Sequence, residues 1–212
     1  MSKATLCTRI FETGIVAIIR GIEPEVCNEV VNAIAEGGVK TIEITANTPN
    51  ALDMIREASD EFDDIAIGAG TVLDPETARA VQLAGAEFVV TPSINADVIK
   101  ACKRYGTPIA TGVMTPTEAV KATEAGSDFC KLFPASTTGP EHVSAISSPL
   151  PQVSIVPTGG VSLDNAAAFF NAGAVALGVG SAIVDQEAIE AGNFDLLTET
   201  ARKFVALAEE HR

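Results

Sequence analysis

Short runs of β-branched and small apolar residues alternate along this chain with longer amphipathic segments. The runs are IVAIIR at 15–20, TIEIT at 41–45, IAIGAGT at 65–71, EFVVT at 87–91, PIAT at 108–111, DFCKLF at 128–133, SIVPT at 154–158 and AVALGV at 174–179. Each has strand length, and the segments between them repeat apolar residues at helical spacing. In EVCNEVVNAIAEGG, for example, Val26, Val30, Ala33, Ile34 and Gly37 share one stripe. A further helix, over about residues 3–13, precedes the first strand. Helix starts carry their own signals. Asp74 caps DPET with Pro75 next, Thr115 and Glu118 frame a capping box in TPTE, and Ser162 opens SLDN. Helix ends carry glycine, in AEGGV, LAGAEF, EAGSDF and NAGAVA.

Eight strands alternating with eight helices, without a linker or a break in composition, predict an α/β fold. The form expected is a (β/α)8 TIM barrel, one domain over 1–212, with an extra N-terminal helix. An open doubly wound sheet is the rival. The turn after the first strand, IIRGIEPE, is not the G-x-G-x-x-G loop such a sheet uses for dinucleotides.

In this barrel, chemistry sits at the C-terminal ends of the strands. The residues there are Arg20, Glu43 with Thr45, Gly70 with Thr71, Thr91 with Pro92, Thr111 with Gly112, Lys131, Thr158 with Gly159, and Gly178 with Gly180. Lys131 alternates with Cys130 and Leu132, so it faces away from them. The helix layer would bury its ammonium without a partner; the barrel interior is the cheaper place if Glu43 lies there too. Two readings stand at this point. Lys131 is a nucleophile that forms a Schiff base and Glu43 a proton shuttle, or the two are a structural ion pair. The loops PTGGVS and GVGSAIV follow strands seven and eight, a common phosphate site of the fold, and offer Gly159, Gly160, Gly180 and Ser181 to an anion. Thr71, in GAGTV, can meet a carboxylate or keto oxygen, or be only a turn hydroxyl.

Composition narrows the classes. Among 212 residues, 47% are hydrophobic, enough for a sizeable core, and there is no Trp. Net charge is −14, from 28 acidic and 14 basic residues, which disfavours nucleic acid and anionic membranes as partners. The acids are spread over surface-type positions, as in EASDEFDD, and fit either an ordinary soluble enzyme or adaptation to high salt. The four cysteines form no C-x-x-C pair and read as buried free thiols, and the two histidines, His142 and His211, have no ligand spacing. No metal and no cofactor are expected. The N-terminus has no apolar stretch of signal-peptide length, and no run is long enough to span a bilayer, so a cytoplasmic protein is expected.

Six motifs in order, GGVKTIEIT, GAGTV, TPTEAVKA, CKLFPA, VPTGGVSLDN and GVGSA, closely resemble the class I 2-keto-3-deoxy-6-phosphogluconate (KDPG) aldolases, a family that includes 4-hydroxy-2-oxoglutarate (KHG) aldolases. The resemblance covers nearly the whole chain. It implies that Lys131 forms the Schiff base with pyruvate and that Glu43 is the general acid/base. It also implies that Thr71 contacts the pyruvate portion and that Thr158 lies by the aldehyde-derived hydroxyls. Gly159, Gly160, Gly180 and Ser181 would hold the phosphate, and Pro92 is counted with the substrate-binding residues. The substrate would be a phosphorylated keto acid of the Entner–Doudoroff type, and the assembly a homotrimer. Two positions depart from the family. Where well-known bacterial members carry an arginine four residues after the glutamate, this chain has Asn47, and Arg20 at the end of strand one is expected to supply the cation instead. Ser93 stands where a glycine is common. The C4 epimer and 4-hydroxy-2-oxoglutarate are alternative substrates, and a phospho-sugar isomerase or epimerase, or a non-catalytic phosphate-binding barrel, are alternatives of a different class.

Overall fold

The computed structural model describes residues 3–211, apart from the side chains of Phe11 and Glu12. Eight parallel strands form one sheet: β1 (Ile15–Ile19), β2 (Thr41–Thr45), β3 (Ala66–Gly70), β4 (Val89–Val90), β5 (Ile109–Val113), β6 (Phe129–Leu132), β7 (Ile155–Pro157) and β8 (Leu177–Val179). The order β7-β6-β5-β4-β3-β2-β1-β8 brings the two ends of the sheet together. A parallel bridge between Thr158 and Gly178 joins them, and the Val175 N–H donates to the Ile155 carbonyl at 3.0 Å. The fold is the expected (β/α)8 barrel. The connecting helices are α2 (Cys27–Glu36), α3 (Ala51–Glu61), α4 (Pro75–Leu83), α5 (Ala96–Tyr105), α6 (Pro116–Ala125), α7 (Gly139–Ser147) and α8 (Ala166–Asn171).

Two expectations of element layout are corrected. After β8 the chain makes not one helix but two, α9 (Gln186–Glu190) and α10 (Phe194–His211), and α10 packs on α2. Gly37 permits that packing, since a Cβ there would overlap Ala201. Ser162 does not cap α8, which begins four residues later at Ala166. Instead the Asn165 side chain accepts the Ser162 N–H at 2.9 Å and donates to the Gly160 carbonyl at 2.9 Å. That amide, with its acceptor oxygen and donor nitrogen set apart, bridges both sides of the loop at once. The other starts hold: Asp74 Oδ1 accepts the Thr77 N–H at 2.6 Å, and Thr115 with Glu118 forms the capping box.

Strand alternation divides the apolar residues into two clusters. The outer one lies between sheet and helices and includes Ile42, Ile44, Cys130 and Leu132. The inner one fills the lower barrel with Val16, Ala66, Phe88, Val90, Phe129 and Val156. Helix α1 (Lys3–Thr13) belongs to it through Leu6 and Ile10. Of the cysteines, all free, three are buried, but Cys7 is only half-buried, contrary to the expectation of four buried thiols.

Above the inner cluster, strand glycines let other groups lean inward. A Cβ at Gly112 would overlap the Pro92 carbonyl, which is backbone and has little freedom to move. Gly112→Ala is therefore expected to cost about 1–3 kcal/mol, the usual range for overpacking. A urea unfolding midpoint equal to wild type would contradict that tight approach.

Candidate active site

Lys131 lies on β6 with Cys130 and Leu132 turned to the helix layer, so its own side chain enters the barrel. Glu43 lies on β2 between Ile42 and Ile44 and does the same. Their side chains are 4% and 2% exposed, and Lys131 Nζ stands 3.9 Å from Glu43 Oε1. Gly70 makes room for this carboxylate, because a Cβ there would coincide with Oε1. Oε1 is buried and has no hydrogen-bond partner. Burial pushes the Glu43 carboxyl above the ordinary carboxylate range, while the charges of Lys131 and Arg20 pull in the opposite direction. A buried ion pair with an orphan oxygen is a poor device for stability alone. It is a suitable one for moving a proton.

Two cavities meet at Lys131. The open one holds about 340 Å³ and is bordered by Lys131, Thr158, Gly159, Gly160, Gly180, Ser181 and Arg20, with Ile18, Phe133, Val161 and Val184 as its apolar wall. The inner one, about 20 Å³, has Glu43, Lys131 and Thr158 on its border. Lys131 and Thr158 belong to both, so they separate the open cavity from the space beside Glu43. The ring of the neighbouring Phe133 lies 5.3 Å from Lys131 Nζ.

The glycine loops lie on the wall of the open cavity. Gly159 and Gly160 both have positive φ, 87° and 77°. Their carbonyls are tied into the protein: that of Gly159 accepts the Ser136 N–H at 2.8 Å, and that of Gly160 the Asn165 amide. After β8 the Gly180 carbonyl accepts from Ile183 and Val184, both at 2.9 Å. An anion approaching these loops therefore meets small residues whose acceptor oxygens are already engaged.

Arg20, one residue past β1, reaches Thr71 past β3, and its Nη2 donates to Thr71 Oγ1 at 3.4 Å. Thr71 has φ 56°, a left-handed conformation that is unusual for a β-branched residue. Such strain costs on the order of 1–3 kcal/mol and tends to gather at sites of function. Asn47 is exposed. Pro92 is not on the border of either cavity; it stands at the end of β4 over Gly112. The sequence reading missed Gln186, which borders the open cavity. The Asp185 cap immediately before it, whose side chain accepts the Ala188 N–H at 2.9 Å, marks the helix start but not the cavity.

Fold and site together define a barrel enzyme of the aldolase class. The chain belongs to the KDPG and KHG aldolase family, whose model matches residues 7–200. It is 38% identical over 169 residues to the 2-dehydro-3-deoxy-6-phosphogalactonate aldolase of Escherichia coli K12, which spans 79% of this chain and 82% of that protein. Against the 2-dehydro-3-deoxy-phosphogluconate aldolase of Pseudomonas aeruginosa it is 36% identical over 182 residues, 85% and 83% of the two chains. A crystal structure of KDPG aldolase from Legionella pneumophila, with pyruvate captured as a covalent carbinolamine intermediate, superimposes with a TM-score of 0.87 at 30% identity, covering 92% of this chain and 96% of that one. Among the described residues no helix is long and apolar enough to cross a membrane.

Proposed function

We propose that the protein is a Schiff-base (class I) aldolase that reversibly cleaves 2-keto-3-deoxy-6-phosphogluconate to pyruvate and glyceraldehyde 3-phosphate. The observation that carries this reading is the buried Lys131–Glu43 pair, whose lysine borders a cavity that runs to the glycine loops. The neutral Lys131 amine attacks the C2 carbonyl, and the carbinolamine loses water to give an iminium. Glu43 accepts the C4 hydroxyl proton as the C3–C4 bond breaks. The bond pair flows into the iminium to form an enamine, and the aldehyde departs. Protonation at C3 and hydrolysis release pyruvate and the free amine. Thr158, bordering both cavities, lies by the C4 end of the substrate, and Gly159, Gly160, Gly180 and Ser181 take the phosphate. Pro92, which borders neither cavity, has no part in this assignment.

Arg20 and Thr71 bind the substrate carboxylate, so that Arg20 replaces the cation absent at Asn47. Arg20→Ala is then expected to raise KM for pyruvate and for the full substrate about 10- to 100-fold, the scale of one lost charge-assisted hydrogen-bonded contact. Steady-state kinetics giving an unchanged KM would remove Arg20 from this role.

The reading is tested by measuring pyruvate release from the gluconate-derived substrate, its C4 epimer and 4-hydroxy-2-oxoglutarate side by side. Release from none of the three would overturn it. A galactonate preference is the second reading, supported by the 38% identity to the Escherichia coli 6-phosphogalactonate enzyme.

Three further features belong to this proposal. The protein acts in the cytoplasm as one barrel domain over 1–212. It assembles as a homotrimer, which light scattering on the purified protein can check. Its net charge of −14 suits a high-salt interior, where carboxylates stay hydrated and ions screen their repulsion. The thermal midpoint should accordingly rise as KCl is raised, and a falling midpoint would favour ordinary solubility as the reason for the acidity.

A further inference from the structure

The loop after β1 is held from two sides. On one side, the Gly21 N–H donates to Thr48 Oγ1 at 3.1 Å, and Thr48 in turn shares a 3.0 Å hydrogen bond with Thr45 on β2. On the other, Gln186 Nε2 donates to the Arg20 carbonyl at 3.3 Å and lies 3.5 Å from that of Gly21. Gln186 is the first residue of α9, and Asp185 fixes that helix start. A single amide thus ties the end of β1 to the segment after the neighbouring strand β8, at the border of the open cavity.

This matters because of what Arg20 has to do. Its side chain is exposed and ends on Thr71 Oγ1 at 3.4 Å, a weak bond on a long flexible stem. Holding such a side chain in one place costs up to about 2 kcal/mol of rotamer entropy. Fixing the backbone at both carbonyls settles where the stem starts, so fewer rotamers reach Thr71 and the cavity. Preorganisation of that kind appears as tighter binding rather than faster chemistry.

We infer that Gln186 is a positioning residue: by clamping the Arg20–Gly21 carbonyls it holds the Arg20 guanidinium at the carboxylate end of the cavity. The inference rests on the proposed aldolase reading and extends it to a residue beyond the glycine loops. Gln186 does not meet the reacting atoms. It acts through Arg20, and that makes it separable by a double-mutant cycle.

The test uses Gln186→Met, similar in length and without the amide donor, alone and combined with Arg20→Ala. Losing one or two neutral hydrogen bonds should raise KM for the keto acid about three- to tenfold, with kcat at saturation unchanged. Borohydride trapping at saturating pyruvate should be retained, and the urea midpoint should stay at the wild-type value because the residue is exposed. In the Arg20→Ala background the same substitution should no longer change KM. An unchanged KM in the Gln186→Met single variant would overturn the inference, as would an equal rise in both backgrounds, which would mean that Gln186 acts independently of Arg20. Trapping intact in such an outcome leaves the aldolase reading standing. Failure of the wild-type chain to trap pyruvate overturns both, since Arg20 then has no keto-acid carboxylate to meet.

Discussion

Lys131→Met is expected to lower kcat on the order of 10⁴- to 10⁶-fold, the scale seen when a covalent nucleophile is removed. Every later step depends on the nitrogen that Lys131 brings: the carbinolamine, the iminium that draws electrons from C3–C4, and the enamine that stores them. Methionine matches the stem closely in length and is tolerated beside the apolar lower barrel, so folding is expected to survive. With the amine gone, Glu43 loses the first of the two charges that hold its carboxyl down, and the carboxyl should keep its proton to higher pH. Turnover and far-UV circular dichroism on one preparation check the lost activity and the retained fold. Residual activity within about tenfold of wild type would be too much for a chain without its nucleophile.

Glu43→Gln should reduce kcat about 10²- to 10⁴-fold, as expected for loss of a general acid/base, while pyruvate still forms its adduct on Lys131. The same variant separates a working carboxyl from a structural ion pair. Burial raises the folded-state pKa of Glu43, whereas the unfolded chain titrates near the ordinary value of about 4.3. Between those two values the folded chain holds a proton that the unfolded chain has released. Stability contributed by this group is therefore complete below the unfolded pKa and lost as pH rises through the folded one. Glutamine has no proton to lose. Its stability relative to wild type should grow as pH rises from the unfolded pKa through the raised folded one, as urea midpoints at several pH values would show. The acid limb of kcat/KM should start above the usual carboxylate range in wild type, where Glu43 must ionise to accept the C4 hydroxyl proton. If the glutamine variant instead loses stability as pH rises, Glu43 and Lys131 are a net stabilising ion pair, and the structural reading is the better one.

Much of this site is legible in the chain because a strand has a strict period of two. The apolar neighbours of Lys131 and Glu43 assign both side chains to the interior, where the structure brings them to 3.9 Å. The caps at Asp74 and Thr115 are readable for a similar reason, since each is a local contact between residues three apart. What escapes is contact between distant segments. Nothing near Gly112 announces that the Pro92 backbone leans over it, or that Gly70 clears space for Glu43. Ser162 lies outside α8 because the Asn165 amide ties the Ser162 N–H to the Gly160 carbonyl, an arrangement decided by the shape of the whole loop. Gln186 reads as an ordinary first residue of a helix until closure of the barrel brings it to Arg20. The left-handed backbone at Thr71 is invisible for another reason: threonine is a residue that propensity would keep out of that conformation.

The central claim is a covalent one, and borohydride trapping with pyruvate, read by peptide mass spectrometry, addresses it most directly. A reduced pyruvate adduct is expected on Lys131 in the wild-type chain and in Glu43→Gln, and none in Lys131→Met. An unmodified Lys131 after reduction, or an adduct on another lysine, would contradict it.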